Sequence, residues 1–360
     1  LGLLAATKSG GTIEKIGNTI SPRFSLIFST IIMLAIGPGL AIPRTAATTV
    51  EIIQKGFFKG ANSVLLTVVF FACVYLFVRK PSSIIDNLGK ILTPLLIATL
   101  VVIIFKGIIS PVATPVNTYQ IQVFQSSFEE GYQTMDALAS LVFAIVVTKG
   151  FIGNGITDDK TIKQYTIKSS IIAAIGLCFV YGGLIYLGAA TSKFNLGNVE
   201  RVDLLLYICY QHLGILGKLL ICVAMALACL TTAIGLTTTV GQFFSDMLKD
   251  KTNGVISYDV IIIISTVFSA FFAVVGVEKI LKISAPFLTA IYPVAIVLIF
   301  LNLFKQNTFS RNVKLGSIIG VSIYAVIVLL NGFKLDFGLL KTIESVFPVQ
   351  VKSFIWIIPA

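Results

Sequence analysis

Long apolar stretches, separated by short polar connections, follow one another along almost the whole chain. Each is close to or above the ~20 residues that a helix needs to cross the hydrocarbon core of a bilayer. The sequence shows no ten-residue alternation of the kind that builds a membrane barrel, so the pattern predicts helices, which satisfy their own backbone hydrogen bonds in lipid. The predicted spans are 25–50, 61–79, 88–109, 134–153, 165–190, 205–240, 258–277, 281–304 and 313–331.

Three parts of this pattern do not fit a simple complete crossing. The stretch 205–240 is too long for one straight span, and its first part, LLLYICYQHLG, is expected to lie along the interface. The opening LGLLAAT has the pattern of the last turns of an apolar helix, and the closing SFIWIIPA starts a new apolar run. We therefore expect residues 1–360 to form a single transmembrane domain that is truncated at both ends.

The composition supports a membrane location. Hydrophobic residues make up 56% of the chain and charged residues only 12%, compared with about 25% charged residues in an ordinary globular domain. A soluble protein of this length could not cover its surface with so few charges. The fold class predicted from sequence is therefore an all-α polytopic membrane protein.

The net charge of +11 would suggest a nucleic-acid partner in a soluble protein. In a membrane protein, basic residues collect in cytoplasmic loops and contact anionic headgroups, so we expect membrane lipid as a partner and no nucleic acid.

The connections between the spans fall into two alternating sets. The more basic set, which includes Lys8, Lys15, Arg23, Lys160 and Lys163, is predicted to face the cytoplasm. The five cysteines show neither disulfide nor metal-ligand spacing.

Residues 34–52 contain the clearest interruption of an apolar span. A Gly-Pro-Gly sequence occupies 37–39, and Pro43 follows within the same crossing. Proline removes a backbone donor and glycine permits close backbone approach. Arg44 comes next, and an arginine at membrane depth is costly unless it is paired or hydrated, which indicates a polar cavity. The alternative is a simple packing kink with Arg44 reaching towards headgroups.

A second interruption lies at 128–143, where a polar, glycine-containing segment enters an apolar helix. Asp136 lies just inside this helix. If it is buried, the carboxyl group must find a cation, a hydrogen-bond donor or a proton, as ionisable groups at functional sites in membranes do. Alternatively, Asp136 complements the helix dipole from the first turn.

The third segment, 226–244, carries adjacent mid-span hydroxyl groups at Thr231 and Thr232. Hard cations prefer oxygen ligands, and these hydroxyls together with the Ala228 carbonyl one turn earlier could supply part of such a shell. The alternative is that each threonine bonds its own helix backbone or packs against a neighbour.

No enzyme signature occurs in the rest of the sequence. It contains no GxSxG, HExxH or Walker motif and no paired cysteine and histidine, so the chain is not expected to be an enzyme. Pro286 and Pro293 predict a kinked helix, and the single histidine, His212, is given no proton-relay role.

The segments GPGLAIPRTAATTVE, EGYQTMDALASLVF and ACLTTAIGLTT, in this order and spacing, resemble the bacterial branched-chain amino acid:cation symporter family over nearly the whole chain. The resemblance implies a transporter domain with two inverted five-helix repeats, broken helices and about twelve spans. It also implies multi-pass insertion in the bacterial cytoplasmic (inner) membrane. The implied function is import of leucine, isoleucine and valine by symport with sodium or protons through alternating access. No cofactor is implied beyond the coupling cation.

The resemblance also implies site residues. In related sodium symporters the corresponding span carries adjacent hydroxyl residues and an earlier backbone carbonyl as ion ligands, which match Thr231, Thr232 and Ala228 here. An apolar pocket for the substrate side chain is expected near Met135. The full set expected to bind substrate is Gly131, Thr134, Met135, Asp136, Ala137, Leu138, Phe143, Pro43 and Arg44.

Two alternatives remain at this point. One is a transporter of another small neutral substrate on the same fold, driven by protons through Asp136. The other is a non-transporting membrane subunit that binds partners through small-residue helix faces. The oligomeric state is left open.

Overall fold

The computed structural model describes residues 1–79, 83–117, 123–194, 199–249, 256–304, 308–335, 338–347 and 354–360. Every regular element within these ranges is helical, which confirms the predicted all-α class. In chain order the α-helices are α1 (Gly2–Lys8), α2 (Ile13–Asn18), α3 (Pro22–Leu34), α4 (Ala41–Gly56), α5 (Ser63–Arg79), α6 (Ser83–Ile109), α7 (Val123–Tyr132), α8 (Asp136–Gly153), α9 (Asp159–Ala189), α10 (Arg201–Leu248), α11 (Tyr258–Ala273), α12 (Val277–Leu303), α13 (Arg311–Gly332) and α14 (Leu339–Ser345).

The apolar helices correspond to the predicted spans. Within the described ranges, six helical segments are long and apolar enough to cross a membrane, and three shorter apolar helices accompany them. The six are Pro22–Gly56, Val123–Gly153, Asp159–Phe194, Arg201–Leu248, Val277–Leu303 and Arg311–Gly332. The shorter three are Ser63–Arg79, Thr93–Ile109 and Tyr258–Ala273. Each predicted stretch has one counterpart, so the multi-pass architecture is confirmed.

Several helix boundaries differ from the prediction. The span expected at 258–277 ends at Ala273, because a tight turn follows in which Gly276 has φ +91°. Left-handed backbone of this kind favours glycine. The next helix therefore starts at Val277, before the expected residue 281.

The longest predicted stretch, 205–240, is one helical run that extends over α10. The predicted stretch is too long for one straight span, and α10 is accordingly kinked at Gly214, which has φ +61° and ψ −150°. The span expected at 134–153 starts at Asp136 and is preceded by α7. The polar residues of α7 gave no apolar pattern from which this short helix could be predicted.

Short polar side chains fix the starts of several helices. Ser21 accepts a hydrogen bond from the Phe24 N–H at 3.2 Å, directly before Pro22 at the first position of α3. The Asp158 carboxylate accepts the backbone N–H and the hydroxyl of Thr161 at 2.8 and 2.6 Å, which caps α9 and lowers the pKa of that carboxyl group. Such caps satisfy backbone donors that have no partner within the helix.

The helices form two compact units. Unit 1 comprises residues 1–36, 120–173 and 281–360, and unit 2 comprises 37–119 and 174–280. In unit 1, α1 packs on α8 and α2 packs on α3. In unit 2, α10 is the central helix and packs on α4, α5, α6 and α11. The expectation of one membrane domain stays a prediction.

Large apolar side chains cover much of the helix surface. Ile172 and Ile185 of α9 are each 72% exposed, and Phe271 of α11 is 78% exposed. Side chains of this kind would be an aggregation hazard in water, whereas lipid accommodates them.

Candidate functional site

The first interruption lies between α3 and α4. A π-helical turn covers Ala35–Gly39, and Gly37 leaves the helical path with φ −84° and ψ −128°. The backbone passes so close to α10 that a Cβ atom on Gly37 would lie 2.6 Å from Val240 Cγ2. The predicted break in residues 37–39 is therefore confirmed, and glycine is required there because of this close approach.

The carbonyl oxygen of Pro38, a buried residue of this turn, has a hydrogen-bond partner within unit 2. It accepts a hydrogen bond from the hydroxyl of Ser269, a fully buried residue of α11, at 3.4 Å. An unpaired buried carbonyl would be costly. Ser269 therefore stabilises the broken conformation.

Pro43 does not belong to the break. It is the third residue of α4, within the first turn, whose backbone N–H groups have no acceptor in the helix, so the missing proline donor costs little there. Thus the predicted break is confined to the Gly-Pro-Gly sequence at 37–39 and the turn around it.

Packing of α4 on α10 brings two of the sequence-predicted segments together in unit 2. The Thr49 hydroxyl of α4 lies within hydrogen-bonding reach of the Cys229 thiol of α10, and the half-buried Arg44 is close enough to Cys229 to interact electrostatically. Cys229 directly follows Ala228. The Pro43–Arg44 segment and the threonine segment thus belong to one neighbourhood.

The two candidate cation-ligating threonines bond the same backbone carbonyl. Thr231 Oγ1 donates to the Ala228 oxygen at 3.0 Å, and Thr232 Oγ1 donates to it at 2.8 Å. The helix is regular here. Each threonine thus bonds the backbone of its own helix, which is the alternative to ion binding. The same arrangement places two hydroxyl oxygens within 3.0 Å of a carbonyl oxygen. Their role as ion ligands stays a prediction.

The second interruption lies in unit 1, between α7 and α8. Met135, a buried residue, has φ +60° and ψ 11°, a left-handed conformation that costs a residue with a side chain about 1–2 kcal/mol. The Thr134 hydroxyl donates to the Gly131 carbonyl at 2.9 Å and accepts the Asp136 N–H at 3.4 Å. The predicted break is thus a tight turn closed by one side chain.

Asp136 is the first residue of α8 and is half-buried. In that position its carboxylate meets the positive end of the helix dipole, as in the first-turn alternative considered from sequence. The turn therefore carries the C-terminal carbonyls of α7, the N-terminal N–H groups of α8 and one acid within a few residues.

The residues expected to line the apolar pocket are spread around α8. Leu138 is fully buried, whereas Ala137 and Phe143 are half-buried. Successive residues of an α-helix point about 100° apart, so these side chains do not share one face. Gly131 and Thr134 are exposed. Which of these residues contact substrate stays a prediction.

Unit 2 contains an ionic cluster that the sequence does not predict. The Lys55 ammonium at the end of α4 donates to Glu51 at 2.7 Å, to Asp203 at 2.9 Å and to Glu200. It borders a cavity of about 750 Å³ that is also lined by Tyr207. Only the Glu51–Lys55 pair has helical spacing; the other partners lie far away in sequence and left no local signal.

The whole chain, residues 1–360, matches the family model described as branched-chain amino acid transport protein. It is 34% identical to the branched-chain amino acid permease BraB of Bacillus subtilis and to the branched-chain amino acid transport system 2 carrier protein of Pseudomonas aeruginosa. Both alignments cover 100% of the chain and 82% of the relative. The permease BrnQ of Bacillus subtilis is 32% identical over 97% of the chain and 80% of its own length.

These similarities confirm the resemblance drawn from the three interrupted segments. The matched proteins are transport proteins, so the prediction that the chain is not an enzyme is confirmed as well. All three relatives are bacterial.

Proposed function

Since this chain belongs to the branched-chain amino acid transport protein family, we propose that it imports leucine, isoleucine and valine across the bacterial cytoplasmic membrane. Transport is by cation symport through alternating access. The names of its permease and carrier relatives support this substrate class. The observation that carries the proposal is the non-helical turn between α7 and α8, which supplies backbone groups of both polarities.

The turn suits the two charged ends of an amino acid. The C-terminal carbonyls of α7 form the negative end of one helix dipole and suit an ammonium group. The first N–H groups of α8 form a positive end and suit a carboxylate. Gly131 lies in the last turn of α7 and Thr134 in the turn that follows it, and Asp136 adds a negative charge for the ammonium group.

The branched side chain is proposed to occupy an apolar surface near Met135 and Leu138. The other predicted contacts on α8 are Ala137 and Phe143. One methylene in an apolar pocket changes binding by only about 1–3 kcal/mol, so the three branched-chain amino acids should all be accepted. On α4, Pro43 and Arg44 remain proposed substrate contacts.

The coupling cation is proposed to be sodium, bound by the Ala228 carbonyl and the hydroxyls of Thr231 and Thr232. Support comes from the two hydroxyl oxygens at 3.0 and 2.8 Å from one carbonyl oxygen and from the preference of hard cations for oxygen ligands. Proton coupling through Asp136 is the second candidate, since this half-buried carboxyl group lies at the break in unit 1.

Uptake of labelled leucine into proteoliposomes tests the proposal. We expect accumulation with an inward sodium gradient, and competition by isoleucine and valine at concentrations no more than about 200-fold above that of unlabelled leucine. Serine and glutamine serve as polar controls and should compete poorly. Accumulation that follows a proton gradient alone would move coupling to Asp136, and no uptake under either gradient would contradict the transport function.

A further inference from the structure

Unit 1 contains a cavity separate from the predicted substrate residues. It has a volume of about 360 Å³ and is lined by side chains of α7, α12, α13 and α14 and by Trp356 near the C-terminus. None of the residues predicted to bind substrate lines it. Its volume lies within the roughly 300–1,000 Å³ of small-molecule sites.

Three polar atoms in the cavity wall are buried without hydrogen bonds among the described residues. They are the Tyr132 hydroxyl, the Trp356 indole nitrogen and Gln125 Oε1. The two aromatic residues are only 6% and 7% exposed. The Trp356 indole N–H lies close to the Tyr132 hydroxyl, but the two groups do not have the geometry of a hydrogen bond. Burying such groups without partners is unfavourable, so a ligand that pairs with them is stabilised.

The cavity also presents both signs of charge. Glu129 of α7 and Lys282 of α12 line it. Pro286 and Pro293 have no N–H to donate to the carbonyls one turn earlier, which belong to Lys282 and Thr289. Both of these residues line the cavity. An ammonium group in the cavity therefore meets the Glu129 carboxylate, and a carboxylate meets the Lys282 ammonium and the Trp356 indole N–H.

The rest of the wall mixes apolar residues with the polar residues Thr289, Tyr324 and Asn331. Ala285 and Val328 line it together with the prolines of α12, and the Tyr132 ring is held by stacking on Tyr292 at 4.3 Å between ring centroids. The part of the wall formed by Ala285, Val328 and the prolines suits an aliphatic side chain.

We propose that this cavity is a second binding site, which takes a zwitterionic α-amino acid with an aliphatic side chain. The ammonium group binds beside Glu129, the carboxylate binds beside Lys282 and Trp356, and the side chain lies against Ala285 and Val328. The site goes beyond the proposed transport function, and its test does not depend on uptake.

Trp356 is the only tryptophan of the chain, so its fluorescence reports directly on the cavity. Leucine is titrated into the purified protein in sodium-free buffer, and we expect a saturable change in emission. In the same wild-type protein, 4-methylpentanoate lacks the ammonium group and 3-methylbutylamine lacks the carboxylate. Each analogue should require a concentration about tenfold higher or more than leucine, because each loses a charge-assisted contact.

Charge-removing variants provide the second measurement. Glu129→Gln and Lys282→Met should each raise the half-saturating leucine concentration about tenfold. Glu130→Gln and Lys279→Met are matched controls, since both positions are exposed, neighbour the tested residues on α7 and α12 and do not line the cavity. The controls should leave the titration unchanged.

The proposal is overturned if leucine leaves the emission unchanged, if both analogues bind as well as leucine, or if the response requires sodium and survives both charge variants. Failure of the transport function is recognised separately, because a protein that does not take up leucine but still shows the sodium-free titration retains this site.

Discussion

The two turns at Ala35–Gly39 and between α7 and α8 are built by different means. At Ala35–Gly39 the turn is buried, contains glycine and proline, and is held between a valine side chain and a serine hydroxyl of neighbouring helices. Between Tyr132 and Asp136 the turn contains neither glycine nor proline. There, Met135 adopts a left-handed conformation, and the exposed Thr134 side chain closes the turn.

The difference indicates how each turn responds to change. A turn fixed by tertiary packing tolerates no added atoms, because protein interiors are close-packed. A turn closed by local hydrogen bonds can open at lower cost, as segments that move on ligand binding must. We therefore expect the largest effects on stability at the buried turn and smaller ones at the exposed turn.

The largest effect is expected for Gly37→Ala. The new Cβ would lie 2.6 Å from Val240 Cγ2, and overpacking of this kind typically costs about 1–3 kcal/mol. The apparent Tm of the protein in detergent should fall. Val240→Ala in the same chain removes the clashing methyl groups and should recover part of the loss. No recovery in the double variant would show that the contact with Val240 does not hold the turn.

A smaller effect is expected for Ser269→Ala. This change leaves the Pro38 carbonyl without the hydroxyl that donates to it at 3.4 Å, and the loss should be about 1 kcal/mol because the bond is long. Ser269→Thr retains a hydroxyl group and provides the control. Equal Tm values for wild type and Ser269→Ala would contradict a stabilising role for this hydrogen bond.

The smallest loss of stability is expected for Thr134→Ala in the exposed turn. The change removes the hydroxyl that links the Gly131 carbonyl and the Asp136 N–H, and loss of exposed hydrogen bonds of this kind costs about 0.5–1 kcal/mol. Thr134→Ser keeps the hydroxyl and should behave as wild type. Leucine uptake by Thr134→Ala should nevertheless fall, since this turn is the proposed substrate site; unchanged uptake would argue against that assignment.

The sequence predicted one turn far better than the other, for physical reasons. Glycine and proline break helices through their own backbone properties, so the break at 37–39 could be located directly. The left-handed Met135 could not be predicted, because methionine has no preference for that conformation and the turn depends on its surroundings. The apolar spans were predictable since lipid requires continuous apolar helices. The bonds from Lys55 to Glu200 join distant parts of the chain and have no local pattern.

The central claim, sodium symport through the Ala228, Thr231 and Thr232 site, is tested most directly by the sodium dependence of leucine uptake. The measurement compares wild type with Thr232→Ala and Thr239→Ala. Both hydroxyls bond a carbonyl of their own helix at 2.8 Å, so the two variants lose similar local bonds, but only Thr232 belongs to the proposed ion site. We expect Thr232→Ala to raise the half-saturating sodium concentration about tenfold or more, as loss of one oxygen ligand should. Thr239→Ala should keep the wild-type value. Wild-type sodium dependence in Thr232→Ala, or uptake that ignores sodium altogether, would contradict sodium symport through this site.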